Sequence, residues 1–348
     1  MIKIDSNSSL KFQSSLDTLQ RENIGIDSGN GRLKALSSNG CAVRLPSLLY
    51  FPNKEFIQGD IDDNSSFIVY EGGTRGDLWG YKWIIGKEAY LVAPDTHLST
   101  SEDKEAKVKY SLELLLGVAA HIIKSQKVKL TVALSVHDKE TFQDEIKSKI
   151  QGVHRIVANG KKSEVTVDLK YCVDEGVGAY YELLNNKLVQ KKHTLLLLDI
   201  GEGTIITSVF YNGQKKYRKS YPLGTSRLYQ RISNNTEMRK KLRGLPGNIE
   251  LIKSGIERGD FIYGNNPSLS FSFKEIYRVE LAPWVQESLL KVMTSVSEWM
   301  SEANHLFVIG GGVHLPGIKE WLEKKHFKTL NDSEMLNACG LLKLANRS

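Results

Sequence analysis

The chain of 348 residues is 41% hydrophobic and 25% charged, which excludes a disordered or fibrous protein, and it is longer than one hydrophobic core usually serves. Its longest apolar stretch, 112–123, is broken by Glu113 and His121 and is too short to span a bilayer, and residues 1–12 lack the apolar core of a secretory signal, so a two-lobed cytoplasmic protein without a membrane partner is expected. The formal charge of +7 gathers at 215–243, where Lys215, Lys216, Arg218, Lys219, Arg227, Arg231, Arg239, Lys240, Lys241 and Arg243 stand against the single acid Glu237; without zinc-finger or aromatic-interleaved patterns, a solvated face or a protein contact is favoured over direct nucleic-acid binding.

In chain order, residues 24–27 form an apolar run that ends in DSGNG, continues through 32–36 and meets Asn39-Gly40. That is strand, glycine loop, strand and a two-residue hairpin turn, since both residues of an Asn-Gly pair accept positive φ. Residues 67–70 and 83–85 read as strands around the surface excursion EGGTRGDLWG. Val108, Leu112, Leu115, Leu116, Ala119, Ile122 and Ile123 recur at helical spacing, which predicts an amphipathic helix over 104–124. A strand at 128–136 follows, and Asp138 can cap a helix that carries Phe142, Ile146 and Ile150. Residues 153–158 and 165–169 flank a further Asn-Gly turn, and 178–188 read as a helix leading to the second lobe.

There the first pattern returns. Residues 195–199 run into DIGEG, continue through 204–211, turn at Asn212-Gly213 and go back through 214–221. Helices are expected over 246–259 and 279–302, then a strand at 306–309 ending in Gly310-Gly311-Gly312, a Pro316-Gly317 loop, a helix at 318–325 and a last helix at 334–345. The two D-x-G-x-G blocks lie 172 positions apart, 27 to 199, about half the chain, as a duplicated unit requires. One such block is ordinary turn chemistry; two, each behind an apolar strand and before an Asn-Gly pair, are an internal repeat.

A D-x-G-x-G hairpin gathers backbone N–H groups around a concave turn that can cradle phosphate oxygens, and glycine lets the backbone come close. Candidate phosphate-binding residues are therefore Asp27, Ser28, Gly29, Asn30, Gly31, Gly201, Glu202, Gly203 and Thr204. Gly310, Gly311 and Gly312 form a third glycine turn before a helix, and Lys34 can reach the outer phosphates. If the halves face each other, Asp27 and Asp199 meet, and two carboxylates about 4 Å apart repel by roughly 4 kcal/mol at an effective dielectric of 20. Magnesium bound to a triphosphate relieves that repulsion, so both are candidate metal ligands. Glu175, in VDEGVG, either opens a helix or orients an attacking water. The histidines form no metal-ligand cluster, no P-loop is present, and Cys41, Cys172 and Cys339 are too scattered for a disulfide framework.

DSGNGRLK at 27–34, DIGEGTIITSVF from Asp199, GGGVHLPGI at 310–318 and VDEGVGAYYELL around Glu175 resemble, in this order, the motifs of the actin, sugar-kinase and heat-shock-chaperone superfamily. Within it, WIIGKEA and EGVGAYYELL look most similar to the ParM-type plasmid-segregation actins. The resemblance implies an α/β, actin-like (ribonuclease-H-like duplicated) fold with two lobes around a nucleotide cleft. Lobe I would span 1–190 with a C-terminal helix, 331–348, packing back on it, and lobe II would span 191–330. It also implies ATP and Mg2+ as cofactors, Glu175 and Asp199 as catalytic residues, nucleotide-dependent filaments of the chain with itself, and a DNA-bound adaptor protein. The leader up to Arg21 and the dense basic run have no place in that pattern. A small-molecule kinase, or a non-hydrolysing ATP-binding scaffold of a pilus or division assembly, is the alternative.

Overall fold

The computed structural model describes residues 19–53, 61–100 and 105–347. Residues 1–18 of the leader and residue 104, where the predicted 104–124 helix begins, lie outside the described residues.

Two sheets organise the chain. The larger is built from β1 (Gln20–Ser28), β2 (Arg32–Ser37), β3 (Ala42–Pro46), β4 (Leu48–Tyr50), β5 (Ser65–Gly73), β6 (Lys82–Gly86), β7 (Leu98–Ser99), β8 (Lys127–Val136), β9 (Gly152–Ala158) and β10 (Lys161–Asp174), in the order β3-β2-β1-β8-β10-β9-β5-β6-β4-β7. The smaller holds β11 (Leu195–Ile200), β12 (Ile205–Tyr211), β13 (Gln214–Tyr221) and, after the short hairpin β14 (Ile262–Tyr263) and β15 (Phe271–Ser272), β16 (His305–Ile309), in the order β13-β12-β11-β16.

The duplication is visible in the ladders. β1 pairs antiparallel with β2 and parallel with β8; β11 pairs antiparallel with β12 and parallel with β16. Asp27 faces Lys34 in the first hairpin and Asp199 faces Ile206 in the second, so both loops close in one register. The third strand places Ser135 beside Asp27 and Ile309 beside Asp199.

Strand alternation gives each sheet two apolar faces, as strands covered on both sides require. Ile24, Ile26, Val132 and Leu134 join the core formed with helices Ser111–Ala119 and Lys139–Ile150. On the opposite face Gly25 and Ala133 lie under helix Leu336–Ala345, through Ala338, Leu341 and Leu342. In the smaller sheet Leu196, Leu198 and Ile200 face one core, whereas Leu195, Leu197 and Ile309 face another with Ala179, Tyr180 and Leu183 of helix Val177–Asn185. Tyr180 stacks on Phe210 at 4.2 Å, tying that helix to the second sheet.

Three local expectations are corrected. Helix 104–124 is two shorter pieces, Ala106–Lys109 and Ser111–Ala119, and the second is buried from Leu112 to Ala119, so it is a core helix rather than an amphipathic surface one. Glu113 interrupts the hydropathy but is buried, and His121 is half-buried: the Ser66 hydroxyl bonds the Gly117 carbonyl and meets the His121 imidazole at 2.9 Å. Asn39-Gly40 does not form a two-residue turn. Only Gly40 has positive φ, and Asn39 instead accepts from Cys41 N–H and donates to the buried Glu22, which favours a wider loop. Asn159-Gly160 and Asn212-Gly213 take positive φ at both residues and join paired strands directly, and the Asn159 side chain accepts from Phe67 N–H without widening its turn. The helical region 279–302 is segmented, with Pro283 followed by a π-helical turn, Val285–Leu290, and a break at Val296.

Candidate functional site: a cleft between two glycine hairpins

The β1–β2 and β11–β12 loops converge on one cleft of about 340 Å³. Asp27, Gly29, Asn30, Gly31, Lys34, Glu175, Asp199, Gly201, Glu202, Gly203, Thr204, Gly311 and Gly312 all line it. Ser28 instead lines a small cavity behind the first loop, and Gly310 lies against Asp199 and Ile200. The hairpins touch. A side chain at Gly31 would collide with the Glu202 carboxylate, and one at Gly203 with Asn30, so each loop needs glycine where the other approaches.

The two aspartates have unlike surroundings. Asp27 accepts from Ser135 Oγ at 3.0 Å and Asn337 Nδ2 at 2.8 Å, and lies 3.6 Å from Lys34 Nζ. Asp199 makes no hydrogen bond with the described side chains, and burial pushes its carboxyl up to about 6, with Asp27 and Glu175 adding to the rise and Lys34 opposing it. An uncompensated carboxylate facing a second one across a glycine cradle is a donor set that suits a hard divalent cation arriving with a polyphosphate. Among the described residues, no three His, Cys, Asp or Glu side chains converge as a self-sufficient metal site.

Glu175 follows strand β10 in a turn and precedes Gly176, which enters helix Val177–Asn185 in the left-handed region. Its Oε1 accepts from Lys107 Nζ at 2.9 Å and its Oε2 from Arg218 Nη2 at 2.7 Å. Burial alone would raise this carboxyl; the two cations outweigh it and hold it below the usual carboxylate range. Glu175 is therefore an anchored carboxylate at the floor of the cleft, suited to accept a hydrogen bond from water rather than to carry a proton.

At the other end Lys253 reaches Glu202 at 2.5 Å and Glu250 at 2.7 Å, and these carboxylates raise its affinity for its proton against burial. Tyr229, Ile256 and Leu315 give the cleft an apolar stretch of lining beside His314, and Arg32 crosses from the first hairpin to Glu257. Sequence reasoning did not find Lys107, Arg218, Lys253, Asn337 or Glu257, because each joins the site through contacts distant in sequence. Arg218 was visible only as part of the basic run. That run is not simply solvated: Lys215 pairs with Asp174, Arg218 with Glu175, and Arg231 with Glu280 and Glu287.

Residues 25–178 match the family model described as the N-terminal domain of actin-like proteins. The archaeal actin homologue Ta0583 superposes with a TM-score of 0.71 at 17% identity, covering 94% of this chain and 99% of that one. The chain has the actin-like fold. This actin-like chain is similar also to the apo ParM protein of pSK41 (TM-score 0.61, 19% identity, 94% of this chain and 97% of that one). Against Bacillus thuringiensis ParM, solved with ATP, the TM-score is 0.64 at 17% identity, over 93% of this chain and 98% of that one. Compared by sequence with curated proteins, the chain matches none. No helix among the described residues is long and apolar enough to cross a membrane.

Proposed function

We propose that this chain is an ATPase that closes on a nucleoside triphosphate and its magnesium ion and assembles into nucleotide-dependent filaments. The observation that carries the reading is the pair of D-x-G-x-G hairpins in one register, meeting across a single cleft with Lys34, Asp27 and Asp199 between them. Backbone N–H groups of both loops bind phosphate oxygens, Lys34 neutralises the outer phosphates, and Asp27 and Asp199 hold the metal, which supplies charge neutralisation at the phosphates when bound. Glu175 orients the attacking water, and Gly311 and Gly312 let the backbone pass close to the nucleoside beside Tyr229 and Leu315.

Among proteins of this fold, Ta0583 is known with ADP and a Clostridium botulinum ParM as a 15-stranded filament. These support nucleotide binding and self-association here, and plasmid or DNA segregation through a DNA-bound adaptor is the finer reading, in a cytoplasmic setting. Pelleting and electron microscopy with ATP, with ADP and without nucleotide test it, together with phosphate release. The reading expects filaments with ATP and phosphate release that follows assembly. Dispersed protein in all three conditions, or release that needs a small-molecule acceptor, would replace it with a scaffold or a kinase.

A further inference from the structure

The basic strand β13 does more than decorate lobe II. It crosses to the end of β10 in the first sheet, where Lys215 pairs with Asp174 and Arg218 with Glu175. The Glu175 carboxylate is thus held from both lobes, by Lys107 of the helix Ala106–Lys109 on its own side and by Arg218 on the other. All three side chains are largely buried, at 12% exposure for Glu175, 8% for Lys107 and 16% for Arg218. The Arg218 Nε is buried and has no acceptor among the described residues, so the bond to Glu175 is the polar contact that fixes this guanidinium.

We propose that Arg218 is a positioning residue that couples closure of the two lobes to the orientation of Glu175. This rests on the reading of Glu175 as the group that orients water. Because Arg218 rides on lobe II and Glu175 on lobe I, rotation of the lobes about the cleft lengthens this bond before it disturbs the bond to Lys107. In the open molecule Glu175 is held at Oε1 alone and its second oxygen is free to turn; in the closed one both oxygens are fixed and the carboxylate presents one geometry to the water. Hydrolysis is thereby confined to the closed state, without Arg218 touching nucleotide. Lys215, three residues before Arg218 on β13, and Asp174, next to Glu175, guide the same approach from a more exposed position.

The test compares Arg218→Gln and Arg218→Lys with Glu175→Gln in the full chain. Loss of an interaction made only on the way to the transition state predicts that Arg218→Gln lowers kcat about 10-fold or more while KM stays within about threefold. Arg218→Lys should recover part of kcat, and Arg218→Gln/Glu175→Gln should be no slower than Glu175→Gln alone, because the arginine acts through the glutamate. Amide exchange supplies a readout without chemistry: Arg218→Gln should speed exchange at 173–177 as well as at 214–221, with the thermal midpoint of the lysine variant near wild type. Additive losses in the double variant, or exchange changes confined to 214–221, would overturn the coupling. Failure of the wild-type chain to turn over nucleotide would fell the role of Glu175 by itself, and the exchange pattern would then decide the lobe-to-lobe contact alone.

Discussion

At the scale of single residues, the cleft holds two carboxylates in opposite electrostatic situations. Glu175 is stabilised as an anion by Lys107 and Arg218, and its folded-state pKa lies below the unfolded one. The stability it contributes is fully present above the unfolded value and is lost as pH falls through the lowered folded value. Replacing Glu175 by Gln leaves two cations facing no charge, which costs about 3 kcal/mol for a broken buried pair. Denaturant melts should show that deficit at pH 7 and show it shrinking as both proteins are acidified through and below the usual carboxylate range, until the wild-type carboxyl protonates too. Asp199 is the reverse case: an ionised carboxylate that burial disfavours. Asp199→Asn should therefore leave the nucleotide-free protein as stable as wild type at pH 7, or more stable, while weakening magnesium-dependent nucleotide binding at least 100-fold in equilibrium titrations. A variant that melts later and binds worse is the signature of a residue kept for its ligand.

At the scale of elements, one close approach is testable by a single methyl group. Helix Leu336–Ala345 lies on β1 at backbone distance, and a Cβ at Gly25 would meet the main chain of Ala338, Leu341 and Leu342. Because neither partner is a flexible side chain, Gly25→Ala should destabilise the fold by about 1–3 kcal/mol, read as a lower denaturant midpoint with little change in slope. The hairpins themselves were legible in the sequence because D-x-G-x-G and Asn-Gly act locally: the loop residues, their spacing and their turns are fixed within a dozen positions. Asn39-Gly40 was misread for the same reason, since Glu22, 17 positions away, captures the asparagine. The glycine of Gly25 carried no such local signal; its purpose lies in a helix more than 300 residues later. Likewise hydropathy periodicity located helical residues within 104–124 but neither their division into Ala106–Lys109 and Ser111–Ala119 nor the burial of the second piece, which depends on β2, β5 and β6 packing over it.

At the scale of the whole molecule, duplication is the feature that sequence exposed most fully. Two strands, a glycine loop and a parallel third strand recur with one register, and the cleft lies where the copies face each other. What sequence could not expose is how the copies diverged. The first carries Lys34 at the position where the second carries Ile206, so one loop neutralises charge and the other packs, and both side chains line the cleft. The cations that anchor Glu175 come from 68 positions before it and 43 after it, a convergence that exists only once both lobes are folded. Arg218 belonged to a run of basic residues that read as a solvated face or a protein contact, and Lys215, Arg218 and Arg231 of that run proved to pair with acids distant in sequence.

The central claim is that both halves bind one nucleotide, and it is tested most directly by titrating a fluorescent ATP analogue, with magnesium, into the wild-type chain and into Gly31→Val and Gly203→Val. Each substitution places a branched side chain in only one hairpin, against Glu202 or Asn30 of the other. The account predicts saturable binding to the wild type that EDTA reverses, and a loss of about 100-fold or more in either variant, of the order expected when a backbone cradle is blocked. Unchanged affinity in one variant beside a full loss in the other would show that a single lobe binds the nucleotide, and would contradict the shared site.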